Sequence, residues 1–313
     1  MSEHRDQQSL FDRRLQAKRL ARAAGSLEAT GFLLDRAALD VCQRFAGIDR
    51  RFPKVADIGS RTAAFASAAE REGVRSLRGM EDIVRIAPVG LEGAPSHPSL
   101  GRADAIASEE MLPLKDGAFD AAVSLLAMHA VNDLPGTLVQ IRRALKPDGL
   151  FIGVLFGGET LTELGEALAE AELEIRGGLA PRVMPFTEIR DLGGLLQRAG
   201  FALPVTDSDR VVVRYDSPLH LLRDLRGMGE TNSLMDQDKR GLSRKLLARF
   251  LEIYHQRFAD PDGRVRATFE LLTMTGWVPH ESQQKPLRPG SAAARLADAL
   301  GTDEKSTAPK RGP

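Results

Sequence analysis

The chain has a single cysteine, Cys42, in 313 residues. That excludes an internal disulfide and any metal site built from several cysteines. Cys42 lies in an apolar, helix-like stretch and reads as a buried structural thiol. Neither sign of charge is in excess. The 43 basic residues face 43 acidic ones, which removes the electrostatic case for bulk nucleic-acid or membrane binding. No run of 18 apolar residues occurs, so no segment reads as a transmembrane helix. The N-terminus lacks the apolar core of a signal peptide, and Glu3, Asp6 and Asp12 among its arginines argue against a transit peptide. No internal repeat is visible. Arginine outnumbers lysine 34 to 9, which reads with the abundant alanine as the mark of a GC-rich genome rather than of a function. Together these absences describe a soluble protein of a reducing compartment, most simply a bacterial cytoplasm. The length suffices for one large domain or two modest ones.

What is present is organised around Val55-Ala56-Asp57-Ile58-Gly59-Ser60-Arg61-Thr62-Ala63. This reads as a short buried strand ending in an acid and a glycine, then a turn into an alanine-rich helix. In α/β proteins such a turn holds nucleotide-like ligands with its backbone N–H groups and the helix N-terminus. A loop that hugs a ligand needs glycine wherever a Cβ would intrude. This turn has one, Gly59.

Residues 1–50 read as helical. Leu10, Phe11, Leu15 and Leu20 place apolar groups near helical spacing, and Phe32 through Leu39, Val41 and Phe45 continue it. Pro53 ends this region, since the residue before a proline avoids the α conformation. Strands and helices then alternate. Strands are expected at 54–59, 74–80, 103–107, 119–128 and 150–156, helices at 63–72 and 134–145, and a loop at 88–98. Lys146-Pro147-Asp148-Gly149 supplies the turn before the fifth strand. The alternation implies a parallel sheet with crossover helices. After Gly157-Gly158 the chain reads as helices at 160–175 and 188–199, then a closing hairpin of strands 201–205 and 210–215 turning at Asp207-Ser208-Asp209. Helices follow at 217–229 and 238–258, a β-rich stretch at 266–277, and a polar tail, disordered beyond residue 300.

This order resembles the class I S-adenosylmethionine-dependent methyltransferases. Further motifs narrow the resemblance: Phe11-Asp12-Arg13, Leu112-Pro113-Leu114, His129-Ala130-Val131-Asn132-Asp133-Leu134-Pro135, Phe156-Gly157-Gly158-Glu159-Thr160-Leu161, Gly227-Met228-Gly229-Glu230-Thr231-Asn232, and Gly276-Trp277 with His280-Glu281-Ser282-Gln283. Together they are similar to the methyltransferase-like assembly factors of respiratory complex I, whose mitochondrial members are protein-arginine hydroxylases. The resemblance covers roughly residues 10–292. It implies an α/β, Rossmann-like fold with a mostly parallel seven-stranded sheet and an antiparallel closing hairpin. The regions would be an N-terminal helical segment (1–50), the Rossmann-like domain (51–215, with an insertion at about 157–187), an α+β C-terminal extension (216–290) and a tail (291–313). It also implies S-adenosylmethionine as cofactor and a protein substrate, by analogy an arginine of a complex I subunit, either methylated or hydroxylated. A non-catalytic assembly chaperone is the other reading.

The resemblance also suggests site residues. Asp57 and Gly59 match the first cofactor motif, whose second and third glycines are replaced here by Arg61 and Ala63. Arg61 either blocks the amino-acid end of the cofactor or pairs with its carboxylate; a turn without any ligand is the third reading. Glu81, 24 residues after Asp57, is expected at the end of the second strand, where an acid accepts hydrogen bonds from ribose hydroxyls; otherwise it is a lone surface acid. Ser108 stands where an aspartate usually meets the adenine amino group, and Ser124 lies at the lip of the crevice. Ala130 takes the place of a tryptophan. His129 and Asp133, at i, i+4 spacing, share one face of a helical turn. They read as iron ligands of a hydroxylase, as a general base with its neighbour, or as a packed histidine and a helix cap. No convincing metal triad is present. Glu159 pairs with a substrate guanidinium or simply favours the dipole of the next helix. Trp277, His280 and Glu281 read as an anchor for the last strand rather than as catalytic groups.

Overall fold

The computed structural model describes residues 9–92 and 101–283, so part of the expected loop at 88–98 and the whole of the expected tail lie outside the described residues. Three N-terminal helices, α1 (Arg13–Ala23), α2 (Leu27–Thr30) and α3 (Phe32–Ala46), lead into β1 (Lys54–Ile58), α4 (Ala64–Arg71), α5 (Val74–Leu77), β2 (Asp82–Pro88) and β3 (Ala105–Ala107). There follow β4 (Phe119–Leu125), α6 (Leu134–Ala144), β5 (Leu145–Phe156), α7 (Thr162–Arg176) and α8 (Ile189–Arg198). The last elements are β6 (Ala202–Tyr215), α9 (Pro218–Met228), α10 (Arg244–Phe258) and β7 (Val265–Trp277). One compact unit extends to Pro279, and a second begins at His280.

The strands form one seven-stranded sheet in the order β3-β2-β1-β4-β5-β7-β6. Strands β3, β2, β1, β4 and β5 are parallel, and β7 runs antiparallel to both β5 and β6. Helices cover both faces. Leu33 and Phe45 of α3, Leu164 of α7, Leu225 of α9 and Phe250 of α10 pack on one side. Leu138 and Ile141 of α6 with Leu192 and Leu196 of α8 pack on the other. Residues 150–156 of β5 are therefore all buried, as a strand covered on both faces requires. Edge strand β6 instead alternates between more and less exposed positions along most of its length.

Three expectations are corrected. Residues 74–77 form a helical turn, and the second strand begins only at Asp82. Its charged residues obscure it in the sequence; Arg85 is buried inside it, with its backbone N–H donating to Asp104 at 2.8 Å. The fourth strand stops at Leu125, because Leu126 takes a left-handed conformation and turns the chain. The closing hairpin at 201–215 is one continuous strand, paired along its length with β7. Asp207 and Asp209 do not make a turn. They meet Arg44 and Arg36 of α3, each at 2.7 Å. The antiparallel pair thus draws its second strand from 265–277, residues expected in a C-terminal extension, which complete the main sheet.

Candidate functional site

In a parallel sheet the strands' C-terminal ends share one edge, and the register brings Ile58, Ile86 and Ser124 level there. The turn after β1 is shaped by Gly59, whose φ is +67°. A Cβ at this position would lie 2.3 Å from that of Ala127. The turn is satisfied internally. Ser60 N donates to the Ile86 carbonyl at 3.0 Å, and Ser60 Oγ sits 2.6 Å from Asp57 Oδ2 and 2.8 Å from the Thr62 carbonyl. Arg85 Nε donates to the same hydroxyl at 3.2 Å. Asp57 is buried. Its carboxyl is pushed up to about 6 by burial, against the opposing pull of the Ser60 hydrogen bond and Arg85.

Helix α1 roofs this edge. Asp12 caps it, accepting from Leu15 N at 2.9 Å. Arg13 bonds to buried Glu109, and Gln16 Nε2 donates to the Ala130 carbonyl and to Ser233 Oγ, both at 2.9 Å. Asn132 clasps the backbone of Phe11 from both sides, at 2.8 and 3.1 Å. Beneath the roof lies a cavity of about 390 Å³ whose walls include Arg13, Arg61, Val89, Ser108, His129 and Glu230.

Across the cavity runs a buried network. Gly229, with φ +79°, ends α9 in the left-handed conformation. Gly229 N donates to the Arg226 carbonyl at 3.2 Å and Glu230 N to the Leu225 carbonyl at 2.8 Å, a Schellman cap that aims Glu230 inward. The Glu230 carboxylate bonds to the Arg61 guanidinium and lies 3.0 Å from His129 Nε2. Arg61 also donates to the Met228 carbonyl at 3.2 Å. Burial alone would raise the Glu230 carboxyl, but Arg61 and His129 pull it down to about 2. The other ring nitrogen of His129, Nδ1, is buried with no hydrogen-bond partner. His129 packs against Phe156 and Phe186, with ring centroids 4.8 and 5.9 Å away.

The family model described as a methyltransferase domain matches residues 31–204. The chain belongs to the methyltransferase-domain family. It is 39% identical over 292 residues to the protein named mitochondrial arginine-hydroxylase NDUFAF5 of Danio rerio, covering 93% of this chain and 89% of that one. The human protein of the same name is 38% identical, covering 93% of this chain and 83% of that one. The malonyl-[acyl-carrier protein] O-methyltransferase of Halorhodospira halophila is 30% identical over 275 residues, covering 87% and 90%. The likeness to the arginine-hydroxylases extends past the methyltransferase domain into the segment that carries Glu230.

Within this methyltransferase-family chain the structure gathers Arg61, Ser108 and His129 at one cleft, sets Gly59 behind it against Ala127, and leaves other expected residues elsewhere. Asp57 lies beneath the loop and acts through Ser60. Ser124 is enclosed in the sheet, its hydroxyl buried. Glu81 precedes β2 instead of ending it. Its side chain is 74% exposed, at the far edge of the sheet beside Arg51. The edge beyond β2 carries Pro88 and Val89. His129 and Asp133 do not share a helical turn, since 129–133 is non-helical; Asp133 is exposed and caps α6 by accepting from Gly136 N at 2.8 Å. Glu159 is exposed and pairs with Arg210 at 3.3 Å. Trp277 is half-buried, its ring centroid 6.4 Å from that of Phe52, while His280 and Glu281 are exposed. Among the described residues no group of three or more His, Cys, Asp or Glu is placed to hold a metal. The residue that sequence reasoning passed over is Glu230. Its signal is its place in the Gly227-Met228-Gly229-Glu230-Thr231-Asn232 motif, which carries the resemblance but no assigned site role.

Proposed function

We propose that this methyltransferase-family protein modifies an arginine side chain of a protein substrate, with S-adenosylmethionine in the cleft between the Gly59 turn and α1. The observation that carries the reading is the 39% identity, across 93% of the chain, to a protein named for arginine hydroxylation. By the resemblance of the motifs, the substrate is a subunit of respiratory complex I, met in a bacterial cytoplasm. No helix among the described residues is long and apolar enough to cross a membrane.

The cleft fits the cofactor at one end. Its volume of about 390 Å³ suits a ligand of that size, and Ser108 offers a hydroxyl. At the ribose end the fit departs from the usual pattern, because Val89 stands where a carboxylate would accept the hydroxyls. When bound, S-adenosylmethionine supplies an electrophilic methyl group. The chain's own residues exclude water with α1 and hold an oriented imidazole at His129.

Equilibrium binding of S-adenosylmethionine to the purified protein tests this. Saturable binding at millimolar concentration or below, weakened in Gly59→Ala, is expected; no binding would sink the cofactor reading. The Arg61–Glu230 bridge across the cleft favours one alternative, an assembly chaperone without cofactor. That alternative expects co-purification with complex I subunits and no S-adenosylmethionine binding.

A further inference from the structure

The carboxylate expected to meet a guanidinium, Glu159, is spent on Arg210 at the surface. Glu230 is the carboxylate that already holds one. One of its oxygens takes the Arg61 guanidinium and the other faces His129, while the Met228 carbonyl accepts from the same arginine at 3.2 Å. Arg61 is not needed by its own loop. The Gly59 turn rests on the bonds of Ser60 to Asp57, Thr62 and Ile86, none of which uses the Arg61 side chain.

Glu230 is also a wall common to two cavities. One is the cleft under α1. The other, also of about 390 Å³, lies by α7 and α9 and is lined by Leu164, Leu168, Phe186 and Leu222, with Glu230 among its polar groups. Apolar walls leading to a buried carboxylate suit a long aliphatic stem that ends in a planar, forked cation. Arg182, in this second cavity, is neutralised by Glu172 and Asp238. Lys239 and Arg240 are exposed beside it, so acidic residues flanking the entering side chain would be favoured.

We propose that Glu230 and the Met228 carbonyl form the subsite for a substrate guanidinium, and that Arg61 is its internal occupant, displaced when a substrate arginine enters through the cavity by α7. This rests on the arginine reading above. The exchange replaces one guanidinium by another, so the buried carboxylate is never left without a partner. Arg61 already lines the cleft and has that space to move into. Arg61 makes both contacts through Nη1, and the occupant that the subsite already holds is a guanidinium.

Removing the occupant should create a measurable site. Thermal unfolding of Arg61→Ala is followed in ethylguanidinium chloride, with ethylammonium chloride as control. Ethylguanidinium should raise the Tm of Arg61→Ala by about 2 °C at about tenfold above its Kd. It should leave wild type and the double variant Arg61→Ala, Glu230→Gln unmoved. Equal shifts in all three proteins, or equal shifts with ethylammonium, would overturn the proposal. If Arg61→Ala does not stay folded, it is refolded from urea in each salt. Recovery only in ethylguanidinium supports the subsite, and equal recovery in both refutes it. S-adenosylmethionine binding to wild type is read separately, so a failure of the cofactor reading is distinguishable from a failure of this one.

Discussion

Glu81 and Glu230 serve different edges of one sheet. Glu81, before β2, has a side chain 74% exposed, and its partner Arg51 comes no nearer than 3.9 Å. Glu230, beside the C-terminal ends of the strands, has a side chain 8% exposed and is held by Arg61 and His129. The residue type is the same; water makes the difference. At the outer edge solvent screens the charge and the pair contributes little. In the cleft the carboxylate has lost its hydration, and its two partners must replace it. The cleft therefore stores electrostatic free energy that the opposite edge does not, and this is where a ligand can exchange with an internal partner.

The contrast can be broken by substitution. Glu230→Ala strands the Arg61 guanidinium in the cleft and should cost about 3–5 kcal/mol in urea unfolding. A loss below about 1 kcal/mol would mean that water reaches the pair, and the two edges would not differ.

The pH dependence sharpens it. The Glu230 carboxyl is held at about 2, below the ordinary 4.5, so its contribution is fully present above pH 4.5 and disappears as pH falls towards 2. The Asp57 carboxyl behaves oppositely. Raised from 3.8 to about 6, it favours the folded state at low pH, and that advantage is lost as pH rises from about 4 to 6. Each shift corresponds to about 3 kcal/mol. Tm measured against pH should lose its acid limb in Glu230→Gln and its decline between pH 4 and 6 in Asp57→Asn.

Gly59→Ala tests the turn packed behind the cleft wall at Ala127. A left-handed alanine whose Cβ meets Ala127 should cost about 2 kcal/mol in the same unfolding assay. The smallest effect belongs to Glu81→Ala. It should change neither Tm nor S-adenosylmethionine binding, and a measurable fall in either would restore a role for the outer edge.

Much of the architecture is legible in the chain. The apolar run at 150–156 and the Gly59 turn point to the α/β alternation, because periodicity and turn chemistry act over a few residues, whereas the expected turn at 146–149 is the start of β5. The misreadings are also local in origin. Arg85 hides a strand because its charge is neutralised by groups distant in sequence, and Asp207-Ser208-Asp209 imitates a turn because its partners on α3 cannot be seen in the sequence. Glu81 fails for a related reason: once β2 shifts to 82–88, the acid falls at its beginning instead of its end.

The cleft divides the same way. That Gly59 must be glycine follows from a strand–turn–helix pattern written in nine consecutive residues, and it needs no knowledge of the rest of the chain. That Arg61 meets Glu230, 169 residues later, follows only from the packing of α9 beside the β1 turn and from the Schellman cap that turns Glu230 inward. Short-range conformational preference is carried by neighbours in sequence. The pairing of a buried charge is decided by whichever opposite charge the fold delivers within reach once water has been excluded.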